Sequence, residues 1–262
     1  MSHFDKTLRS QFFLTGPRAC PYLPERRERK LFTHLHGPYA SALHDELAMH
    51  GFRRSQNIAY RPACAGCNAC ISTRVVAQEF APTRSQKRVI RRNSDLVRSI
   101  DTSWATEEQF ALFSRYLEAR HADGGMTDMD LFDFAAMVED TPVRTRVVEY
   151  RLPASETGGD EPGALVAVCV TDMLDQGVSL VYSFFDPRQE KRSLGQYIIL
   201  DHIQLAVSTN VPYVYLGYWV PGSRKMDYKI RFSPAEILTE RGWRRFDPAI
   251  DLPADEQEGA PP

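Results

Sequence analysis

ALVAVCVTDMLDQGVSLVYSFFDP, residues 164–187, is the stretch from which the architecture of the chain can be predicted. It contains two apolar strands, ALVAVCV and VSLVYSFF, separated by a turn signal at Asp175 to Gly177. A helix from about Ser193 to Ser208 and a third strand, YVYLGYWV, follow. This order of hairpin, helix and strand predicts an α+β protein with a mixed sheet and flanking helices.

Helix signals surround this unit. Residues 38–50 carry apolar residues at spacings of four and are followed by Gly51, which predicts a helix with a left-handed stop. Thr106 and Gln109 form a capping box that starts a second helix, which runs to about His121. Ser193 and Gln196 predict the same cap for the helix after the hairpin.

The composition is that of an ordinary globular protein, with 43% hydrophobic and 25% charged residues among 262. The N-terminus lacks the basic head and long apolar stretch of an export signal, and the longest apolar run, Ala164 to Val170, is too short to cross a bilayer. We therefore expect a cytoplasmic protein with no membrane partner. The acidic, Pro-rich residues 251–262 predict a disordered tail.

Positive charge is concentrated in the first hundred residues, which hold 17 Lys/Arg against 7 Asp/Glu. The rest of the chain holds 15 against 27, so the basic part either contacts a polyanion or packs against the acidic part. The run APTRSQKRVIRRNSDLVR, residues 81–98, would gather much of this charge on one side of a helix or of an extended arm, and it is the best candidate for a linker that binds a polyanion.

Three cysteines form a C-x2-C-x2-C array, in which a tight turn can direct three sulfurs at one zinc ion or iron–sulfur cluster: Cys64, Cys67 and Cys70. Cys20 is the candidate fourth ligand, with His34 or His36 as substitutes for zinc. The alternative is a set of reduced, partly buried thiols. Cys169 lies in an apolar strand and is predicted to be in the core.

Two segments carry groups suited to chemistry. Asp186 ends an aromatic strand and precedes a helix N-terminus, where a carboxylate can hold or deprotonate an amine, or simply form an Asp-Pro turn. The segment GYWVPGSRKMDYKIRF mixes cations with aromatic rings, which suits phosphates, carboxylates and stacked bases, or a solvated strand edge.

Five ordered blocks together resemble the aminoacyl-tRNA:protein transferases, specifically the bacterial aspartate/glutamate leucyltransferases. The blocks are GPRACPYLP, SQNIAYRPACAGCNACISTRVV, SFFDP, RSLGQYIILDHI and YVYLGYWVPGSRKMDYKIRF. The resemblance runs from about Gln11 to Trp243. It implies an N-acyltransferase fold over residues 99–250, behind a cysteine-containing N-terminal α/β domain over residues 1–98.

The resemblance also implies the reaction. Leucine passes from leucyl-tRNA to the N-terminal α-amine of proteins that begin with Asp or Glu, and the product is an N-degron for proteolysis. The ester donor is already activated, so no coenzyme or covalent nucleophile is required. The related eukaryotic arginyltransferases carry C-x-Y-C near the N-terminus and an adjacent Cys-Cys pair. Here the early pair keeps only Cys20, which leaves the identity of any bound zinc or cluster open.

The residues that match the family's elements supply the candidate site. The predicted catalytic residues are Asp186, Tyr182, Ser193 and Gly195. The predicted substrate-binding residues are Tyr218, Lys225, Tyr228, Lys229 and Arg231. The predicted tRNA-binding residues are Arg84, Lys87, Arg88, Arg91 and Arg92. The predicted metal ligands are Cys20, Cys64, Cys67 and Cys70.

Three other functions compete with leucyl transfer. One is arginyl transfer by the same chemistry, because no leucine pocket is visible in the sequence. Another is coenzyme A-dependent acetylation, although RSLGQ has a single glycine and makes a poor pyrophosphate loop. The last is a non-enzymatic RNA-binding protein that holds a metal or a cluster.

Overall fold

The computed structural model of the chain describes residues 11–120, 126–153, 163–223 and 225–252. The strands in these ranges are β1 Phe13–Leu14, β2 Arg18–Ala19, β3 Arg27–Glu28, β4 Lys30–His34, β5 Arg53–Ser55, β6 Ile58–Pro62, β7 Ile71–Val76, β8 Val97–Thr102, β9 Thr145–Arg151, β10 Leu165–Leu174, β11 Gly177–Phe185, β12 Tyr213–Trp219, β13 Ala235–Thr239 and β14 Gly242–Arg245. The α-helices are α1 Ala40–Met49, α2 Arg84–Arg92, α3 Glu107–Arg120, α4 Leu131–Glu139, α5 Leu194–Ser208 and α6 Pro248–Asp251. The 3-10 helices in the same ranges span Ala77–Glu79, Pro187–Arg192 and Asp227–Arg231.

A mixed sheet of eight strands forms the centre of the molecule, in the order β14-β13-β7-β12-β11-β10-β9-β8. Within the described ranges, β11 and β12 run parallel and the other neighbouring pairs are antiparallel. The predicted hairpin, helix and strand are β10, β11, α5 and β12, so the α+β prediction is confirmed. Because two parallel strands cannot be joined by a tight turn, α5 makes the crossover between β11 and β12.

Helices cover both faces of this sheet. Along β10, Val168 and Val170 pack with α3 and α4, whereas Ala167 and Cys169 pack with α5. This alternation follows from the two-residue period of a strand, which directs successive side chains to opposite faces. Cys169 is fully buried, as predicted for a core residue.

The N-terminal residues build a smaller sheet, with strand order β1-β4-β6-β5, and a two-stranded ribbon of β2 and β3. Helix α1 packs on the smaller sheet through Ala40 and Leu47, which join a cluster with Leu35, Phe52 and Ala59. The large sheet also takes β7 from this half of the chain. The proposed domain boundary at residue 98 falls inside β8, which is another strand of the large sheet.

Several predicted element ends are confirmed. Helix α1 is followed by Gly51 with φ of +80°. Thr106 and Gln109 exchange the two hydrogen bonds of a capping box at the start of α3, each at 3.2 Å. The start of the disordered tail was predicted at Asp251, which is too early in the sequence. Asp251 is the last residue of α6 and accepts hydrogen bonds from Arg244. Residues 253–262 of that prediction lie outside the described ranges.

The capping box predicted at Ser193 is wrong. Ser193 has φ of +54° and ψ of +47°, a left-handed conformation, and its side chain makes no capping hydrogen bond. The physical reason is the 3-10 helix Pro187–Arg192, which ends at Ser193 and directs the Ser193 amide to the carbonyl of Glu190. The sequence pattern of a capping box does not report this preceding helix.

The linker predicted for residues 81–98 is also wrong. These residues include α2, which opens with a complete capping box between Thr83 and Gln86. Val89 is buried in the cluster that α2 shares with α5, and Asn93 is fully buried at the end of α2. Because the apolar side of α2 is packed, its charges are held on an ordered surface.

None of the helices in the described ranges has the length and apolar character needed to span a membrane.

Candidate active site

The candidate active site lies where β11 and β12 stop pairing. Their parallel pairing covers Gly177–Ser179 on β11 and Tyr213–Tyr215 on β12. Both strands continue beyond it, β11 to Phe185 and β12 to Trp219. A guanidinium group lies between the two continuations, since Arg53 donates hydrogen bonds to Leu180 and Val181 of β11 and its nitrogen lies against Gly217 of β12. The sheet is therefore open at this end.

Asp186 stands at the end of β11, and its carboxylate is fixed. It accepts hydrogen bonds from the main-chain amide of Arg188 at 2.9 Å and from the Arg188 guanidinium at 2.6 to 3.1 Å. Burial on its own would raise the pKa of Asp186, but the hydrogen bonds from Arg188 and the charge of Arg115 outweigh it and lower this pKa. Asp186 is therefore ionised at neutral pH and a weak proton acceptor.

Tyr182 lies on β11, four residues before Asp186, and faces α3. Its ring contacts Phe113 of α3 with a centroid distance of 6.0 Å. Burial, followed by the neighbouring Tyr116, raises the pKa of Tyr182 above that of a free phenol. Its hydroxyl therefore remains protonated at neutral pH and is a hydrogen-bond donor.

The N-terminus of α5 approaches the same end of β11. A side chain on Gly195 would meet the ring of Phe185 at 3.0 Å, so the glycine allows this close packing. The main-chain amide of Ser193, a predicted catalytic residue, already donates to the carbonyl of Glu190, so it is not free to donate to an oxyanion. The next amides, those of Leu194 and Gly195, are in the first turn of α5, where N–H groups have no acceptor within the helix.

The predicted substrate-binding residues separate into buried and exposed groups. Lys229 is 8% exposed and donates from Nζ to the main-chain oxygen of Tyr218 at 2.7 Å. Tyr218 is also buried, and its hydroxyl donates to the carbonyls of Gly51 and Tyr60. By contrast Lys225 and Arg231 are exposed, as is part of the Tyr228 ring.

The ammonium group of Lys229 is in an unusual environment. Burial, with a further contribution from the nearby charge of Arg53, lowers the pKa of Lys229 from 10.5 to about 7. Arg231 differs from Lys229, because its main-chain oxygen accepts a hydrogen bond from Gln86 of α2. Of the three predicted cations, Lys229 is the one that the fold places close to the opening between β11 and β12.

Two arginines at this site were not predicted. A buried nitrogen of Arg53 and a buried nitrogen of Arg115 have no hydrogen-bond partner among the described residues. Arg115 lies on α3 near Asp186, and Arg53 lies on β5. Arg53 and Arg54 are adjacent at the start of the short strand β5. Because neighbouring side chains of a strand point to opposite faces, this pair was the signal in the sequence that one arginine lies on each face.

The predicted metal ligands Cys20, Cys64, Cys67 and Cys70 all line one cavity of about 720 Å³, which lies between the N-terminal half and residues of β12 and β13. Burial, followed by the other three thiols, raises the pKa of Cys70 to about 12. Main-chain amides donate to two of the sulfurs, from Leu23 to Cys20 and from Arg29 to Cys64.

The fit of a metal to this cavity is incomplete. The four thiols are the donor type that zinc and iron–sulfur clusters use. However, no three His, Cys, Asp or Glu side chains in the described ranges are arranged to hold a metal ion. His34 does not line the cavity and packs against the rings of Phe13 and Phe32. A zinc ion or cluster at the cysteines stays a prediction.

The predicted tRNA-binding residues form an exposed basic surface on α2, defined as Arg84, Lys87, Arg88, Arg91 and Arg92. A shallow depression of about 660 Å³ is lined by the first four of these cations and Ile90. Arg92 donates to the main-chain oxygen of Lys191, whereas Arg98, in the same basic run, pairs with Asp201 at 3.0 Å. The basic surface of α2 is thus exposed to solvent along one side of an ordered helix.

Comparison with known proteins covers most of the chain. The family described as "Arginine-tRNA-protein transferase, N terminus" matches residues 18–88, and "Arginine-tRNA-protein transferase, C terminus" matches residues 108–239. An aspartate/glutamate leucyltransferase of Cereibacter sphaeroides (strain ATCC 17023) is 56% identical over 94% of this chain and 85% of that protein. One of Jannaschia sp. (strain CCS1) is 58% identical over 91% of this chain and 82% of that protein.

Similarity to solved structures is more distant. The chain is similar to L-PGS from Bacillus licheniformis with a TM-score of 0.48 and 10% identity, over 68% of this chain and 58% of that one. The sequence relatives, by contrast, align along nearly the whole chain. These relatives and the two matching regions show that the protein belongs to the arginine-tRNA-protein transferase family, among its aspartate/glutamate leucyltransferases.

Proposed function

We propose that this chain transfers leucine from leucyl-tRNA to the N-terminal α-amine of proteins that begin with Asp or Glu, marking them for proteolysis. The observation that carries the proposal is the identity of 56% to 58%, over more than nine-tenths of this chain, to proteins named aspartate/glutamate leucyltransferase. The open end of the sheet supports it, because a carboxylate, a phenol, helix amides and a buried lysine are available there for amine and ester chemistry.

The reaction needs two aligned substrates. The neutral α-amine of the acceptor, whose free pKa is about 8, attacks the carbonyl carbon of the leucyl ester and forms a tetrahedral oxyanion. The C–O bond to the ribose of the terminal adenosine then breaks, and a proton from the former amine ends on the released hydroxyl. The products are an amide and uncharged tRNA, and alignment supplies much of the rate enhancement.

The residues at the open end suit separate parts of this reaction. The ionised carboxylate of Asp186 stabilises the positive charge that develops on the attacking nitrogen, which is a role that a lowered pKa favours over proton abstraction. The Tyr182 hydroxyl donates toward the leaving ribose oxygen. The amides of Leu194 and Gly195 face the oxyanion at the positive end of the α5 dipole.

The other predicted groups bind substrates. The basic surface of α2 follows the tRNA backbone, because exposed cations on one side of a helix suit successive phosphates. Lys229 contributes to binding of the acceptor's acidic residue, supported by Tyr218, while Tyr228, Lys225 and Arg231 lie at the exposed approach. The amide-forming steps require no metal, because the ester donor is already activated. If the cysteines bind zinc or a cluster, it would brace the N-terminal half by linking the β2–β3 region to the loop before β7.

A transfer assay tests the proposal. The protein is incubated with tRNA charged separately with labelled leucine, arginine or phenylalanine, and with peptides that differ only in beginning with Asp, Glu, Arg or Ala. We expect label to pass from leucyl-tRNA to the Asp and Glu peptides. Acetyl-CoA with the same peptides is the control for the acetyltransferase alternative.

Each competing function has its own result in this assay. Transfer of arginine in place of leucine would change the donor but keep the chemistry, and acetylation of the peptides would support the coenzyme A alternative. No transfer from any donor, by protein that still binds tRNA, would contradict the proposal and leave a non-enzymatic RNA-binding protein.

A further inference from the structure

Arg53 reaches from the smaller sheet into the opening between β11 and β12. Its Nη2 donates to the carbonyl oxygens of Leu180 at 2.7 Å and Val181 at 3.2 Å, which directly follow the last paired residue of β11. On the other side the guanidinium lies against Gly217, where any Cβ would be 2.0 Å from Nη1 and 2.6 Å from Cζ. Gly217, with φ of +82°, is therefore required for Arg53 to occupy this place.

The Nη1 group of Arg53 is not used by the protein. It is buried and has no hydrogen-bond partner among the described residues. Leaving a buried charged donor without an acceptor costs more than leaving a neutral one, so the position favours an acceptor from outside the chain. A main-chain carbonyl pair holds the guanidinium in place, which leaves Nη1 oriented before any ligand binds.

A buried cation, Lys229, lies close to Arg53. The ammonium of Lys229 donates to the Tyr218 oxygen, and the charge of Arg53 contributes to the lowered pKa of Lys229. No acidic side chain in the described ranges lies within ion-pair distance of Arg53 or Lys229. The acidic residue nearest to Lys229 in the sequence is Asp227, and it does not neutralise this lysine, because its buried Oδ1 has no hydrogen-bond partner in those ranges. Two neighbouring cationic groups withdrawn from water without an anion repel each other, and a bound anion would offset that repulsion.

We propose that Arg53 and Lys229 form the pocket that binds the side-chain carboxylate of the acceptor's first residue, and that Arg53 determines the preference for acidic N-termini. This inference rests on the proposed function. A carboxylate accepts from Nη1 of Arg53 and from the ammonium of Lys229 at once. An asparagine side chain of the same shape would put an NH2 group where a second acceptor is needed, so the pocket discriminates against it.

The acceptor carboxylate fits this position better than a tRNA phosphate does. The Lys229 side chain and the Nη1 atom of Arg53 are buried and offer two cationic groups, whereas the basic surface of α2 offers exposed cations to a polyanion. Within the site, Lys229 follows β12 and Asp186 follows β11. The acceptor could thus place its side chain between the strands and its α-amine toward Asp186.

The test measures acceptor discrimination. Transfer of leucine is followed at saturating leucyl-tRNA to peptides that begin with Asp, Glu, Asn or Ala and are otherwise identical. For Arg53→Gln we expect kcat/KM for the Asp peptide to fall about 100-fold, because one partner of a buried charge pair is lost. We expect kcat/KM for the Asn peptide and KM for leucyl-tRNA to stay within about 3-fold, since neither depends on the carboxylate contact.

Two further variants make the result specific. Lys229→Gln keeps a donor for the Tyr218 oxygen, and we expect it to lower kcat/KM for the Asp peptide about 10-fold. If Arg53→Gln does not fold, judged by circular dichroism, this variant decides the matter. Arg146→Gln is the matched control, because Arg146 is an exposed arginine on β9 that donates to the main chain of Thr145, and we expect no change.

If Arg53→Gln lowers kcat/KM equally for the Asp and Asn peptides, the proposed pocket is wrong, because an equal loss would indicate a general role of Arg53 in folding. A rise confined to KM for leucyl-tRNA would overturn it in favour of a phosphate contact. Equilibrium binding of the peptides without tRNA separates this inference from the proposed function. Tighter binding of the Asp peptide that is lost in Arg53→Gln, without any transfer by the wild type, would support the pocket and refute leucyl transfer.

Discussion

Lys229 combines burial with a single strong hydrogen bond, to the carbonyl of Tyr218, and shares its surroundings with the guanidinium of Arg53. A lysine in such a place loses its proton more easily than in water, since the charged form is poorly solvated and repelled. The same feature that makes Lys229 ready to receive a carboxylate therefore makes the unliganded fold sensitive to pH.

We predict a specific pH dependence of stability from this lysine. The pKa of Lys229 is about 7 in the folded chain and near its ordinary value of 10.5 in the unfolded chain, so between these values the unfolded chain binds one more proton. The free energy of unfolding then rises with pH, by at most about 1.4 kcal/mol per unit from this residue. Below about pH 7 both states hold the proton and the contribution no longer changes.

Urea denaturation at pH 6, 7, 8 and 9 measures this effect in the wild type and in Lys229→Met. Between pH 7 and 9, the free energy of unfolding of the wild type should rise more steeply with pH than that of the variant. Curves that stay parallel over this window would contradict the lowered pKa. The exposed Lys225→Met is the matched control and should follow the wild-type trend.

For single residues, the sequence identified candidates for the site but did not show which of them are buried or what they contact. Lys225, Lys229 and Arg231 were equivalent candidates from their spacing, and they separate because the 3-10 helix Asp227–Arg231 buries the middle one. The adjacent Arg53 and Arg54 were a signal in the sequence, but the contacts of Arg53 could not be predicted from its neighbours in the chain. Its contacts are to Leu180 and Val181, more than a hundred residues away, so the reason for its position is entirely tertiary.

Among the secondary-structure elements, the short helix α2 has one side packed against the protein and another side that carries exposed positive charges. Gln86 and Val89 are buried toward α5 and the segment around Arg231, while the basic surface of α2 faces solvent. A helix held in this way presents its charges at a fixed spacing, with less loss of chain entropy on binding than a flexible linker would have.

For this element we predict that Arg88→Glu with Arg91→Glu weakens tRNA binding. If both arginines contact phosphates, the slope of log K against log salt should become shallower by about 2, and affinity at low salt should fall at least about 10-fold. Filter binding or fluorescence anisotropy at several salt concentrations measures both quantities.

The matched control reverses two other exposed arginines, Arg146→Glu with Arg241→Glu, which changes net charge equally. An equal loss in the control would indicate a net-charge effect in place of a defined contact. Unchanged tRNA affinity in the α2 variant would contradict the predicted role of this surface. Arg92 is left intact because it also donates to the main chain of Lys191.

The ends of helices could be predicted from the sequence where they depend on contacts between residues close together in the chain. The stop at Gly51 and the capping box at Thr106 involve residues within one turn, so they were readable from the chain. The cap at Ser193 was not, because the preceding 3-10 helix determines the backbone there. The same limit applies to α2, whose order depends on α5.

In the whole molecule, a buried polar network joins the smaller sheet to the large one. Asp172 of β10 accepts from Arg54 of β5 at 2.7 and 2.8 Å and from Thr145 of β9 at 2.8 Å, and it lies 3.0 Å from His44 of α1. Burial alone would raise the pKa of Asp172, but the hydrogen bonds from His44 and Arg54 outweigh it and lower this pKa. The network thus fixes β5, and with it Arg53, against the sheet.

We predict that Asp172→Asn lowers the free energy of unfolding by about 3 kcal/mol or more at pH 7, since it leaves Arg54 buried without a full charge partner. Because the folded pKa of Asp172 is lowered, its stabilising contribution is present above about pH 4 and is lost as pH falls below that value. The difference between wild type and variant should therefore shrink in acid. Chemical denaturation at pH 7, 5 and 3 measures it.

Asp175→Asn is the matched control, because Asp175 forms an exposed pair with Arg144. We expect this change to cost less than about 1 kcal/mol. A small effect of Asp172→Asn, equal to that of the control, would show that the two sheets are held together by apolar packing alone.

The sequence by itself determined the elements that depend on neighbours in the chain: the hairpin of β10 and β11, the helix between parallel strands, the helix stops and the family that the five blocks indicate. It also placed the candidate groups at the ends of β11 and β12, since strand ends follow from strand patterns. Only the tertiary structure decided which of these groups are buried and which side chains from the N-terminal half reach them. The physical reason is that burial, pKa shifts and unsatisfied donors arise where distant segments exclude water together, and Arg53 beside Lys229 is such a place.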